Sequence, residues 1–303
     1  MRNPSPFPTS LRGRAISTRD APDWGLSERR TRARDVAHPY HGVFGVDLAL
    51  ASVLDRCRAY EPRLLDGQLF SHVTALALWG APIPRGRADS VHLAVRFPRT
   101  PPRTVGVVGH SLHSVSPAVR FGLPVSAAAA AWCESAALLD RVELVAAGDA
   151  LVTGVRRPGG RENPVATVAE LRSALAERRG SPGTGRGLWA VDRIRTGVDS
   201  FAETQLRLLL ARHRFLEPTT DCPIEVVGGL VLHSDLGYPT ARIALEFEGD
   251  EHRTNRERWM RDIRRRELME DAGWRVIRTV QADLDDPAAL VARLRRLLVA
   301  RAR

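Results

Sequence analysis

Asp235, Glu246, Glu248 and His252 are acid and base side chains spaced closely enough to share one site. Glu246-Phe247-Glu248 ends an apolar run. Alternation along a strand puts Ile243, Leu245 and Phe247 on one face and Ala244, Glu246 and Glu248 on the other. Residues 230–236 form a second apolar run, and Gly237-Tyr238-Pro239-Thr240 between the two reads as the turn of a β-hairpin. Asp235, near the end of the run over 230–236, then joins the two glutamates at one lip of the sheet, with the greasy face packed and the acidic face open. Two like charges roughly 4 Å apart repel by about 4 kcal/mol at an effective dielectric of about 20, so such a group calls for a cation or a proton. Carboxylate oxygens favour a hard divalent ion, Mg²⁺ or Mn²⁺. His252 follows the acidic strand by four residues, and an ordinary pKa of about 6.5 lets it exchange protons at neutral pH. Taken one at a time, each acid reads equally as a solvated strand residue, and His252 as a structural hydrogen-bonder.

The elements that must position these groups follow from the flanking pattern. Ser200 can cap a helix over 200–214 with an apolar stripe of Phe201, Leu206, Leu209 and Leu210. Glu203 lies in its first turn, where the helix dipole favours a negative charge. A strand over 224–227 leads into the hairpin. After His252 a long helix runs to residue 272 and is stopped by Gly273. It carries seven arginines between positions 253 and 266, partly offset by Glu257 and Asp262. A strand over 274–280 and an amphipathic helix from about 287 complete an αβββαβα unit.

Asp235, a gap of ten residues and Glu246-Phe247-Glu248 resemble the PD-(D/E)XK nuclease core, with Glu248 where that motif usually has lysine. The continuation through Gly249-Asp250-Glu251-His252, Asp262, Arg265 or Arg266, Leu268 and Gly273-Trp274-Arg275-Val276-Ile277-Arg278 is similar to a bacterial family related to the very-short-patch-repair endonucleases, over residues 196–303. The resemblance implies a restriction-endonuclease-like core in which Asp235 and Glu246, with the Phe247 carbonyl, hold Mg²⁺ or Mn²⁺. It also implies that Glu203 is a further acidic ligand, that Glu248 and His252 share in catalysis, and that Arg253, Arg256, Arg261 and Arg265 contact nucleic acid. His252 is the best substitute for the missing lysine.

Upstream, a helix over 16–23, a turn at Trp24-Gly25-Leu26, a second helix over 27–36 and a short β-wing over 38–44 outline a winged helix-turn-helix across 11–46. Its second helix carries Arg29, Arg30, Arg32 and Arg34 as phosphate or base contacts. A helix is expected over 47–66, another over 71–78, and a strand over 91–96. Ser71-His72-Val73-Thr74-Ala75, Leu78-Trp79-Gly80 and Phe121-Gly122-Leu123-Pro124-Val125-Ser126 with the alanine-rich helix after it resemble the abortive-infection type IV antitoxin family. That resemblance spans 11–155, with 47–155 as its own α/β domain, and implies a DNA-binding regulator in a toxin–antitoxin or defence setting. His72, His110 and His113 read as structural or surface residues. Residues 156–195 read as a linker containing one helix, and their Gly-rich pieces match no phosphate-binding loop.

Composition bounds the rest. A chain of 303 residues with 44% hydrophobic residues supports an α+β, multi-domain protein. The formal charge of +10 favours an anionic partner. All 45 basic residues are arginine, so no lysine can serve the site. Cys57, Cys133 and Cys222 lack metal-knuckle spacing. No charged-then-apolar leader and no membrane-length apolar run is present, and a cytoplasmic location is expected. Two functions compete: a metal-dependent DNA endonuclease with an N-terminal targeting module, and a non-catalytic DNA-binding regulator with a degenerate nuclease domain. An RNA substrate is a weaker third.

Overall fold

The computed structural model describes residues 6–157, 160–248 and 256–301. The chain divides into two compact units, Met1–Asp140 with Val165–Trp189 and Arg141–Pro164 with Ala190–Arg303. Residues 156–195, which read as a linker, are thus shared between them, and the helix Val168–Glu177, capped reciprocally by Thr167 and Glu170, belongs to the first.

The first unit is built on a six-stranded sheet in the order Arg103–Thr104, Val107–Leu112, Val91–Arg96, Leu69–Phe70, Leu123–Ser126, Pro117–Arg120. The strands Val91–Arg96 and Val107–Leu112 run parallel, with Ala94 opposite His110. The helix His72–Leu78 packs on strand Val91–Arg96 and against the helix Ala128–Ser135, which in turn meets Val168–Glu177. The alanines of the middle helix allow that close approach, and Trp132, Phe70, Leu76 and Leu93 fill the space between layers.

At the N-terminus the elements are shorter than the sequence suggests. In place of a helix over 16–23 there is a strand, Ile16–Ser17, paired with Val43–Phe44, and a 3₁₀ turn at Pro22–Trp24. The second helix is one turn, Glu28–Thr31, capped by Ser27. Leu11, Ile16, Leu26, Val36, Phe44 and Val46 bury one another in a small local core, and this burial outweighs helical propensity. The helix expected over 47–66 is confined to Val53–Tyr60, where Ser52 and Asp55 form a capping box and Pro62 lies in the 3₁₀ turn that follows.

The second unit has a four-stranded sheet in the order Thr219–Glu225, Val231–Tyr238, Ile243–Phe247, Arg275–Thr279. The first three strands form an antiparallel meander. The helix Arg256–Asp271 crosses over so that the fourth strand lies parallel to the third. Counting from the helix Phe201–Arg212, the order is helix, three strands, helix, strand, helix, helix, ending in Gln281–Asp285 and Ala288–Arg301. Both faces of the sheet are covered. Leu236, Tyr238, Ile243, Leu245 and Ile277 pack on Leu206, Leu210, Leu290 and Leu294, while Ile224, Val226, Ala244 and Val276 pack with Met269 of the crossover helix. The face expected to be open is therefore a second core as far as Ala244, and only beyond it does it turn polar.

The hairpin turn also lies later than expected. Gly237 and Tyr238 are strand residues, and the chain reverses through Pro239–Ala241 and Arg242, whose φ of 49° is left-handed. Gly237 serves close approach, since a Cβ there would run into Cys222 Sγ. The helix Arg141–Thr153 docks on Phe201–Arg212 through a buried pair, Arg207 Nη2 to Asp149 Oδ2 at 2.9 Å. The same aspartate accepts from Thr204 Oγ1 at 2.8 Å and from the Arg195 amide at 2.7 Å.

Candidate functional site

Three of the predicted acids meet at one end of the second sheet. Asp235 sits on the second strand, one residue before the Leu236–Leu245 pairing, and its Oδ2 accepts the Phe247 amide at 2.8 Å. That hydrogen bond fixes the carboxylate against the end of the third strand, beside Glu246. Glu203 comes from the first turn of Phe201–Arg212. It is 7% exposed, and its Oε2 accepts the Asp199 amide at 2.9 Å. The Ser200 hydroxyl accepts the Glu203 amide at 3.1 Å, so the capping geometry turns this side chain back over the start of its helix.

The electrostatics record the crowding. Burial, then the negative charge of Asp235, raises the Glu203 pKa from its ordinary 4.5 to about 7. Burial raises Asp235 to about 6; the Phe247 amide opposes the shift, Glu246 and Asp199 add to it, and the Arg265 guanidinium opposes it. Glu246 is half-buried, with Arg265 Nη1 2.6 Å from its Oε1, yet that oxygen lacks a well-angled hydrogen bond. Arg265 also reaches the His233 carbonyl. The guanidinium therefore lies against the edge where a cation would sit.

Glu248 shares the polar face but is paired with Arg278, and its amide donates to the Thr279 carbonyl. His252 and Arg253 lie outside the described residues, as do the side chains of Arg256 and Arg261. Arg29, Arg32 and Arg34 are exposed. Arg30 is a correction: it is 5% exposed, holds Asp35 with both terminal nitrogens at 2.9 and 2.7 Å, and covers the Phe7 ring, so it organises the local core and presents no guanidinium to phosphate.

A second ring of charge surrounds the acids and was not singled out from the sequence. Asp199 is paired with Arg156 at 2.7 Å and with Arg161. Asp221 is 2.8 Å from Arg156 and 3.2 Å from His233 Nδ1. The signal available was only the run of basic residues at 156–161, which reads as linker until the tertiary fold brings it to Asp199.

The donor set fits a hard cation in kind, since Asp235, Glu246 and Glu203 offer only oxygen. Mg²⁺ is commonly held by one or two carboxylates with several waters, a role that Asp235 and Glu246 fit. The oxygens are not gathered as for an all-protein cage. Among the described residues, the group whose ligand atoms all lie within 4.8 Å of one another is His72, His92 and His110 in the first unit.

No family model matches the chain. It is similar to "Uncharacterized protein Rv2248" of Mycobacterium tuberculosis (strain ATCC 25618 / H37Rv) and to "Uncharacterized protein MT2308" of Mycobacterium tuberculosis (strain CDC 1551 / Oshkosh), each 30% identical over 135 residues. The match covers 43% of this chain and 48% of each relative. The chain thus spans about half the length of the curated relatives it matches. No helix among the described residues is long and apolar enough to cross a membrane.

Proposed function

We propose that the second unit hydrolyses phosphodiester bonds in DNA, with Mg²⁺ or Mn²⁺ held by Asp235 and Glu246 and with Glu203 behind them. The observation that carries this reading is the convergence of three acids from the helix Phe201–Arg212 and the two central strands of the sheet that follows it, close enough that the Asp235 charge raises Glu203. The cation, when bound, supplies an activated water and stabilises charge building on the scissile phosphate. Asp235 is aimed by the Phe247 amide. Glu203, titrating near neutrality, can take up a proton at the edge of the site. Arg265, which is paired with Glu246, would be available to meet the substrate phosphate if a cation took its place there. The resemblance to nuclease and antitoxin families described above supports the same substrate and a defence setting. His252 is the proposed proton acceptor in place of lysine.

One feature favours the second reading, a DNA-binding regulator without catalysis: Arg265 and Arg278 already neutralise Glu246 and Glu248. Cleavage of plasmid and single-stranded DNA with Mn²⁺, beside an RNA control, separates the two. Asp235→Asn or Glu246→Ala should abolish cutting and leave DNA affinity level or higher, because a carboxylate repels the phosphate backbone. Affinity should fall about a thousandfold between about 50 and 200 mM salt if roughly six phosphates are neutralised. Binding without cutting under Mn²⁺, or cutting that survives both substitutions, would leave the regulator in its place.

A further inference from the structure

The first unit contains a group of side chains that the proposed nuclease does not use. His72 opens the helix His72–Leu78, His92 lies on the strand Val91–Arg96, and His110 lies on its parallel neighbour Val107–Leu112. Ala94 is opposite His110, so His92 and His110 are diagonal neighbours on one face. His92 Nδ1 and His110 Nε2 are 2.9 Å apart. The His72 and His110 rings stack with centroids 3.6 Å apart, and ligand nitrogens of all three lie within 4.8 Å of one another. His72 and His92 are buried and His110 half-buried.

Two independent features surround this trio. Glu134, 4% exposed, accepts the His72 amide at 3.1 Å and the Ser126 hydroxyl at 2.9 Å through Oε2, which lies 3.8 Å from His72 Nδ1. Its other oxygen, Oε1, is buried without a hydrogen-bond partner. His72 itself holds a positive φ of 51°, a conformation that costs a non-glycine residue energy. A strained backbone and an orphaned carboxylate oxygen beside clustered imidazoles are the kind of outlier that points to a ligand.

We propose that His72, His92 and His110 form a binding site for a d-block divalent cation, Zn²⁺ being the best fit, with Glu134 and Ser71 orienting His72. Three imidazole nitrogens and an open fourth position match the zinc preference for nitrogen in a tetrahedron. Zn–N bonds of about 2.0–2.1 Å set neighbouring nitrogens about 3.3 Å apart, close to the His92–His110 spacing. Nδ1 of His72 meets Ser71 Oγ at 2.9 Å, which leaves Nε2 as the ligand atom, and Ser71 on the ring with Glu134 on the backbone amide act as the orienting shell that metal-bound histidines carry. The rings are now nearly parallel, 19° between His72 and His110 and 17° between His92 and His110. Aiming the three lone pairs at one point requires rotation about χ2, a broad torsion in histidine. This site differs from the carboxylate edge of the second unit in ligand type and so in the metal it selects.

The test uses the full chain, stripped with a chelator and titrated with Zn²⁺ against a coloured competitor. One Zn²⁺ per chain is expected. His92→Ala and His110→Asn should abolish its binding, Glu134→Gln should weaken it by about 10–100-fold, and His113→Ala should leave it unchanged. Co²⁺ added to the unmutated protein should give the intense visible bands of a tetrahedral nitrogen site, a readout that does not depend on how well the variants fold. No zinc uptake, undiminished uptake in both histidine variants, or only the weak spectrum of an octahedral oxygen site would each overturn the proposal and leave a hydrogen-bonded histidine stack.

Discussion

The histidine trio of the first unit and the acid cluster of the second answer the same physical problem with opposite shifts. Burial lowers His72 well below the ordinary histidine value, His92 to about 4, and His110 below 6.5. Burial raises Glu203 to about 7 and Asp235 to about 6. Desolvation disfavours whichever form is charged, so bases fall and acids rise. Neighbours push in the same sense, His110 on His72 and His92, Asp235 on Glu203. What differs is readiness for a cation. Neutral imidazoles present lone pairs at pH 7 without repelling one another, whereas the carboxylates must give up protons or part from Arg265. Asp149 shows the other solution for a buried acid: it is 1% exposed, but Arg207, Thr204 and the Arg195 amide all address it.

The largest effect should come from breaking that fully partnered acid. Arg207→Ala leaves the buried Asp149 charge without its counter-ion and should cost about 3–5 kcal/mol of stability in a denaturant titration. A loss below about 1 kcal/mol would show that the pair is no different in kind from the open cluster.

Next is the response of the second unit to pH and metal. The folded-state pKa values of Glu203 and Asp235 lie above their ordinary 4.5 and 3.8. The folded chain therefore holds protons that the unfolded chain releases, and this contribution is lost as pH rises through about 6 to 7. Melting curves of wild type and Asp235→Asn should converge at low pH and diverge toward pH 8, with the variant more stable. Mn²⁺ at a hundred times its Kd should restore about 2.7 kcal/mol to wild type, with a smaller gain at pH 5, where Asp235 holds its proton. A metal increment independent of pH would contradict the shifted acids.

A subtler effect concerns Glu203 alone. Carboxyl NMR should show its titration moving down in Asp235→Asn while staying above 4.5, because burial, the larger cause, remains. An unmoved titration would separate the two acids. The smallest change is expected for Arg265→Ala, which frees Glu246 of its partly exposed partner. Isothermal titration should find Mn²⁺ bound more tightly by about 1 kcal/mol or less, and weaker binding would mean that Arg265 supports the ligands.

The sequence alone contained the order of the second unit, because strand alternation, the Gly273 stop and the Ser200 cap are local signals read within a few residues. Strand alternation also puts Asp235 and Glu246 on one face, but counting from a turn at 237–240 sets Asp235 opposite Arg242, and only the later reversal through Pro239–Ala241 sets it beside Glu246. Glu203 was legible from its place in a capped first turn. Tertiary structure decided the rest. Arg30 looked like a groove-reading side chain until Asp35 and Phe7 enclosed it, and Arg156 and Arg161 looked like linker until Asp199 and Asp221 met them. The histidine trio depends on a parallel register and on a helix entering from another strand, so His72, His92 and His110 carry no common spacing along the chain. Contacts that close loops of tens of residues are set by which apolar faces bury together, and no period in the sequence records that choice.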